Sequence, residues 1–163
     1  MSPRPDARAG SPRSRARLRV LVVDDEPAIC RMLALLLARC DVDAVTAQSG
    51  AEALARLAEQ EMDGLVLDLR LRDEAEAGDG DELYRRIVQR YPALRTRTLF
   101  MTGDISAAAE RAIAATGCPY LRKPFDSSVA VQTILARSGV PPAATRVSTL
   151  GSRGSAGGMS QRA

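Results

Sequence analysis

The sequence predicts an α/β domain: a doubly wound parallel sheet with helices on both faces. Three observations carry this reading. Five short apolar runs alternate with five segments of helical periodicity between Leu18 and Arg137, the pattern of β-strands joined by crossover helices. The runs are close to unbroken rather than alternating, as expected of strands covered on both faces. Four of the runs also lead directly into polar residues, so chemistry gathers where strands end.

Taken in order, "LRVLVV" (18–23) reads as the first buried strand. "EPAICRMLALLLARC" (26–40) follows as a helix with Pro27 in its first turn, where the missing N–H costs nothing. "VDAVT" (42–46) is a second short strand. "SGAEALARLAEQ" (49–60) opens with Ser49 and Glu52 at capping-box spacing and carries Leu54 and Leu57 on one face. "GLVLD" (64–68) is the third strand, ending at Asp68. After an acidic loop, "DELYRRIVQRY" (81–91) is helical and is stopped by Pro92. "RTLFMTGD" (97–104) is the fourth strand, with Thr102 at its end. "SAAAERAIAAT" (106–116) is an alanine-rich helix closed by Gly117. "PYLRKPF" (119–125) holds a short fifth strand, and "DSSVAVQTILAR" (126–137) is the last helix. Crossovers in such a sheet are expected to be right-handed.

The flanks read differently. Residues 1–17 hold five arginines against Asp6, and residues 138–163 hold three arginines and no acid. The total of +3 therefore leaves 18–137 acidic, at about −4 by subtraction. The start is proline-broken, and the end is Gly, Ser, Pro and Ala without periodicity. Both are expected to be disordered, 1–17 as a basic arm and 138–163 as a tail, around a single domain at 18–137. The arms could touch nucleic acid or anionic lipid without specificity, but solubilising tails are the commoner use, so nucleic acid is not an expected partner on this reading.

Composition removes several classes of function. There is no His, which excludes histidine zinc sites, Ser-His and Cys-His catalysis, and a histidine phosphocarrier. Aromatic residues are 3% of the chain with no Trp, a poor surface for stacking bases. No GxxxxGK loop is present, so an NTPase is not expected. Cys30, Cys40 and Cys118 are odd in number without CxxC spacing, and read as free buried thiols in a reducing, cytoplasmic setting. No membrane span or signal peptide is visible.

In a doubly wound sheet the functional crevice lies at the carboxyl ends of the strands. Strand one ends in Asp24-Asp25, strand three in Asp68, strand four in Thr102 and strand five in Lys123. A helix cap would account for Asp25 but not for Asp68, since Leu69 and Leu71 do not begin a helix. Converging carboxylates repel, and a hard cation relieves them; magnesium suits oxygen ligands and keeps waters that a phosphate can displace. Lys123 and the Thr102 hydroxyl would then suit a phosphoryl group as point charge and donor. A carboxylate facing that group can itself be the nucleophile, giving an aspartyl phosphate, and Asp68 is the natural acceptor.

"VLVVDDEP", "GLVLDL", "FMTG" and "YLRKPF", in this order, resemble the receiver domain of two-component response regulators over residues 18–137. The resemblance implies a flavodoxin-like sheet of order 2-1-3-4-5. It implies Asp68 as phosphoacceptor, and magnesium held by Asp25 directly, Asp24 mainly through water, Asp68, and the Arg70 backbone carbonyl. Thr102 would bond a phosphoryl oxygen, Lys123 would pair with the phosphate, and Gly103 would leave room for it. Tyr120 would swing inward when Thr102 is drawn to the phosphate. The Lys123–Pro124 bond is expected to be cis, which helps aim the lysine. Arg70 and Asp104 would flank the path of the hydrolytic water.

The implied partners are a histidine kinase or phosphotransfer protein as donor, and a protein target on the face made by helix four, strand five and helix five. A non-switching pseudo-receiver scaffold is the alternative, and a nucleic-acid binder acting through the arms a second. A phosphatase of the haloacid dehalogenase type fits less well, because its nucleophile follows the first strand.

Two departures stand out. Family members usually have Pro four residues after the acceptor and Asp-Gly seven and eight after it. Here Arg72 takes the proline's place and Asp79-Gly80 come eleven and twelve residues on, an insertion of about four. The resulting loop, 72–82, holds six acids and bears on the placing of the Arg70 carbonyl. The second departure is that only a tail comes after the domain, so the expectation is a stand-alone receiver.

Overall fold

In the computed structural model, residues 17–71, 80–103 and 106–139 are described. Residues 1–16 of the expected arm, most of the tail, the acidic insertion at 72–79 and Asp104 lie outside them. Five parallel strands form one sheet of order β2-β1-β3-β4-β5. These are β1 (Arg19–Val23), β2 (Asp43–Ala47), β3 (Gly64–Asp68), β4 (Thr98–Thr102) and β5 (Tyr120–Arg122). The helices between and after them are α1 (Pro27–Ala38), α2 (Gly50–Glu59), α3 (Gly80–Arg90), α4 (Ala107–Thr116) and α5 (Ser127–Arg137).

Side chains alternate across each central strand, so one apolar run feeds two cores. Val20, Val22, Val66, Leu99 and Met101 pack with Cys30, Leu33 and Leu37 of α1 and Ala130, Val131 and Ile134 of α5. Leu21, Val23, Leu65, Leu67 and Phe100 face the other way, onto Ala53 and Leu57 of α2, Leu83 and Ile87 of α3, and Ile113 of α4. Burying each such side chain is worth about 1.5–3 kcal/mol. The strands therefore cannot slip by one residue without turning both cores out, and the strand ends are held in register.

The helix ends follow their cap residues. Ser106 Oγ accepts from Ala109 N at 3.2 Å, and Asp126 Oδ1 accepts from Ser128 N and Val129 N. Gly117 closes α4 with φ of 70°, a left-handed turn that favours glycine. The capping box of α2 is only half made. Ser49 Oγ accepts from Glu52 N, but the Glu52 carboxylate takes the amide of Gln48, one residue before the cap. Pro92 stops α3 and also starts a 3₁₀ turn over Pro92–Thr96 that inserts Leu94 into the core. The cysteines are free, but only Cys30 is buried; Cys40 and Cys118 are half-exposed. Among the described residues no helix is long and apolar enough to cross a membrane.

Candidate functional site

The register that protects the core also brings the polar strand ends to one edge of the sheet. Val23 is the last residue of β1 and Asp24 the first beyond it, with no exposed surface. Asp68 ends β3 and Thr102 ends β4, and both are buried. Lys123 follows β5, its amide donating to Thr102 O at 2.8 Å.

Lys123 Nζ reaches across the crevice and donates to Asp24 Oδ2 at 2.7 Å and to Asp68 Oδ2 at 2.8 Å. Each carboxylate has a second donor. Asp24 Oδ1 accepts from Glu26 N at 2.8 Å, and Asp68 Oδ1 accepts from Arg70 N at 3.1 Å. Oxygens of Asp24, Asp25 and Asp68 all lie within 4.8 Å of one another. Asp25 is half-buried and does not cap α1: the cap position falls on Glu26. Among the described residues its carboxylate has no hydrogen-bond partner, so its oxygens are free to bind.

Burial pushes the Asp68 carboxyl above the usual carboxylate range. The Lys123 hydrogen bond, the Arg70 amide and the lysine charge oppose this, and the Asp24 charge adds to it. Burial alone would lower the Lys123 ammonium, but its bonds to Asp24 and Asp68 and their charges outweigh that and hold it protonated. The repulsion among the three acids is thus met in this structure by an ammonium between two of them. The donor set also fits a hard divalent cation: three carboxylates offering only oxygen, one of them unpartnered, at a spacing one ion can bridge.

The other residues singled out in the sequence fall around this centre. Arg70 is exposed two residues past Asp68, and Gly103 lies beside Thr102. Among the described residues, a Cβ on Gly103 would meet nothing within 4 Å. Tyr120 is turned outward, 41% exposed, and the Lys123–Pro124 bond is cis. Asp104 is outside the described residues.

Two features are not legible in the sequence. Cys30 Sγ lies 3.4 Å from the carbonyl of Asp24 and donates to it, so α1 is pinned behind the site. Gly80 lies directly on the backbone of Asp68 and Leu69. The shifted Asp-Gly pair is the one signal for the second.

A family model described as the response regulator receiver domain matches residues 20–135. The response regulator protein PilR of Pseudomonas aeruginosa is 33% identical over 111 residues, covering 68% of this chain and 24% of PilR. The transcriptional regulatory protein TrcR of Mycobacterium tuberculosis is 37% identical over 109 residues, covering 66% of this chain and 40% of TrcR. The chain therefore spans well under half the length of either relative. Among solved structures, a CheY-like receiver domain protein of Methanospirillum hungatei superposes with a TM-score of 0.67 at 22% identity, over 76% of this chain and 94% of that one. The chemotaxis protein CheY4 of Vibrio cholerae gives 0.64 at 24% identity, over 74% of this chain and 98% of that one. At these identities the two structures speak to the fold.

Proposed function

We propose that this chain, which belongs to the response regulator receiver family, takes a phosphoryl group onto Asp68 from a phosphohistidine of a kinase or phosphotransfer protein. The observation that carries the proposal is the placing of Lys123 Nζ between Asp24 and Asp68 at the edge where four strand ends meet. An ammonium with two carboxylate partners can turn from one of them to a third anion without being left bare in a buried site.

In the proposed step an oxygen of Asp68 attacks phosphorus, an O–P bond forms, and the N–P bond to the donor imidazole breaks. Asp24, Asp25, Asp68 and the Arg70 carbonyl are the proposed holders of magnesium, which when bound supplies charge neutralisation for the incoming phosphoryl oxygens. Lys123 would pair with a phosphoryl oxygen, and the Thr102 hydroxyl would donate to another. Positioning and charge neutralisation are most of what phosphoryl transfer asks of a protein.

Drawing Thr102 inward would leave space behind it for Tyr120, now exposed, and so alter the face of α4, β5 and α5 that a protein target would read. Arg70, exposed beside the acceptor, is the proposed modulator of hydrolysis, tested by the decay of phosphorylated protein in Arg70→Ala. We take residues 18–137 as the receiver unit.

The test is intact mass after incubation with magnesium and acetyl phosphate, wild type beside Asp68→Ala. Wild type should gain one phosphoryl group and the variant none. Equal uptake by both would move the acceptor elsewhere, and no uptake by wild type would favour a non-switching scaffold.

A further inference from the structure

We propose that Gly80 is a positioning residue for the phosphoryl site: the first residue of α3 is stacked on the Asp68–Leu69 backbone and sets where the acceptor and the Arg70 carbonyl stand. This rests on the reading of Asp68 as acceptor and deepens it.

Past the end of β3 the backbone is held from three sides. Leu69 N donates to Met101 O at 2.8 Å, which extends the pairing with β4 by one residue. Arg70 N donates to Asp68 Oδ1 at 3.1 Å and so orients the carboxylate. Gly80 N donates to Leu69 O at 2.9 Å. The peptide leading from Leu69 to Arg70 is thus fixed at its carbonyl by Gly80, and its N–H in turn fixes the acceptor side chain.

This approach is open only to glycine. A Cβ at position 80 would stand 2.2 Å from Asp68 O, 2.8 Å from Leu69 Cα and 3.0 Å from Leu69 C. All three are backbone atoms, which cannot swing aside as a side-chain tip can. A larger residue must push α3 out or push the Asp68–Leu69 peptide in, and either motion reaches the Arg70 amide and its bond to Asp68. A misplacement near 1 Å is enough to cost about 100-fold in a positioned reaction. Gly80 brings no polar side chain to the phosphate; it acts through the backbone it touches.

The same contacts account for how a receiver can tolerate a longer loop at this point. The Gly80–Leu69 bond ties the chain just after β3 to the first residue of α3, on the two sides of residues 72–79. The Leu69–Arg70 peptide, from which the Arg70 carbonyl follows in the chain, is then held by Gly80 and Met101 whatever the number of residues between 72 and 79.

Three full-length variants test this against wild type. Gly80→Ala places the methyl on the Asp68 backbone. Gly64→Ala is the control, since its Cβ would come 2.3 Å from Ser138 Oγ at the opposite end of the same strand. The third deletes residues 74–77. Each is read by thermal melting, by magnesium Kd, by the initial rate of uptake from acetyl phosphate, and by the ¹⁵N–¹H positions of the Leu69 and Arg70 amides.

Gly80→Ala should move both amides and lose about tenfold or more in magnesium affinity and uptake while still folded. Gly64→Ala should melt lower yet keep Kd and uptake within about twofold, and so should the deletion. Unmoved amides with wild-type uptake in Gly80→Ala would overturn the proposal, as would an equal loss of uptake in Gly64→Ala. Should Gly80→Ala not fold, the deletion decides: a loss of about tenfold there overturns the proposal, and unchanged Kd and uptake support it. A wild type that takes no phosphate sinks the Asp68 assignment instead, and the amide positions still read the backbone contact.

Discussion

Lys123 Nζ and Asp68 Oδ2 lie 2.8 Å apart, and the same nitrogen holds Asp24 Oδ2 at 2.7 Å. One ammonium therefore neutralises two buried acids that would otherwise face each other. The arrangement is asymmetric, because Asp24 is wholly enclosed and Lys123 keeps part of its surface in water. Which member is removed decides what the fold loses.

Lys123→Met should be the costly change. It leaves Asp24 and Asp68 buried without a cation, and breaking such a pair from one side costs on the order of 3–5 kcal/mol, here at the lower end because the lysine is partly solvated. Asp68→Ala should cost much less, since it removes a charge that burial and Asp24 already disfavour and leaves Asp24 paired. Urea unfolding without magnesium checks the order. If Asp68→Ala were the less stable variant, the account of the cluster's electrostatics would be wrong.

Magnesium should raise the melting temperature, because a ligand bound only by the folded state stabilises it by mass action. The gain depends on Asp25, the one carboxylate of the three with no protein partner among the described residues, so Asp25→Ala should show a much smaller shift. Lys123→Met should show a larger one, as the cation then replaces the missing ammonium. An equal shift in all three proteins would place the ion outside this cluster.

Burial, chiefly, with help from the Asp24 charge, pushes the Cys30 thiol up to about 11 from an ordinary value of 9.0. Between those two values the unfolded chain releases the proton and the folded chain keeps it. Stability therefore falls as pH rises through this window, by about 1–3 kcal/mol in all, and the contribution is whole below pH 9. Cys30→Ala should remove that part of the decline. In the native protein at pH 8, a thiol reagent should titrate Cys40 and Cys118 first and reach Cys30 only on unfolding. Equal reactivity of all three would refute the burial argument.

Much of the site is legible in the sequence because apolar runs mark strands and the residues after them mark the sheet edge. Asp24, Asp68, Thr102 and Lys123 are found by that rule alone. What the rule cannot supply is contact between distant ends. The bonds of Lys123 to Asp24 and Asp68 span 99 and 55 residues and depend on the order in which strands pair. Gly80 shows the same limit: the Asp-Gly pair is visible, but its approach to the Asp68 carbonyl depends on how α3 docks. The turn after Pro92 is hidden for a local reason, since a proline signals where a helix stops and leaves open the conformation of the residues beyond it.

Room for the fold and room for the phosphate can be told apart at Gly103. This residue comes directly after Thr102, its φ lies outside the left-handed range, and among the described residues an added Cβ meets nothing within 4 Å. A side chain there should therefore not strain the native state. Gly103→Ala should even stabilise it by about 0.4–1 kcal/mol, through the entropy of the unfolded chain. If the phosphoryl group settles on Asp68 beside this residue, the open space is where it must pass. Gly103→Ala should then change uptake by no more than about twofold, since a methyl adds little bulk, whereas Gly103→Val should slow it by about tenfold or more at unchanged stability. Melting curves and initial uptake rates from acetyl phosphate measure the two quantities separately. Wild-type uptake by Gly103→Val would mean that the phosphoryl group enters from another side, whereas a loss of stability matching the loss of uptake would mean that the space serves the fold.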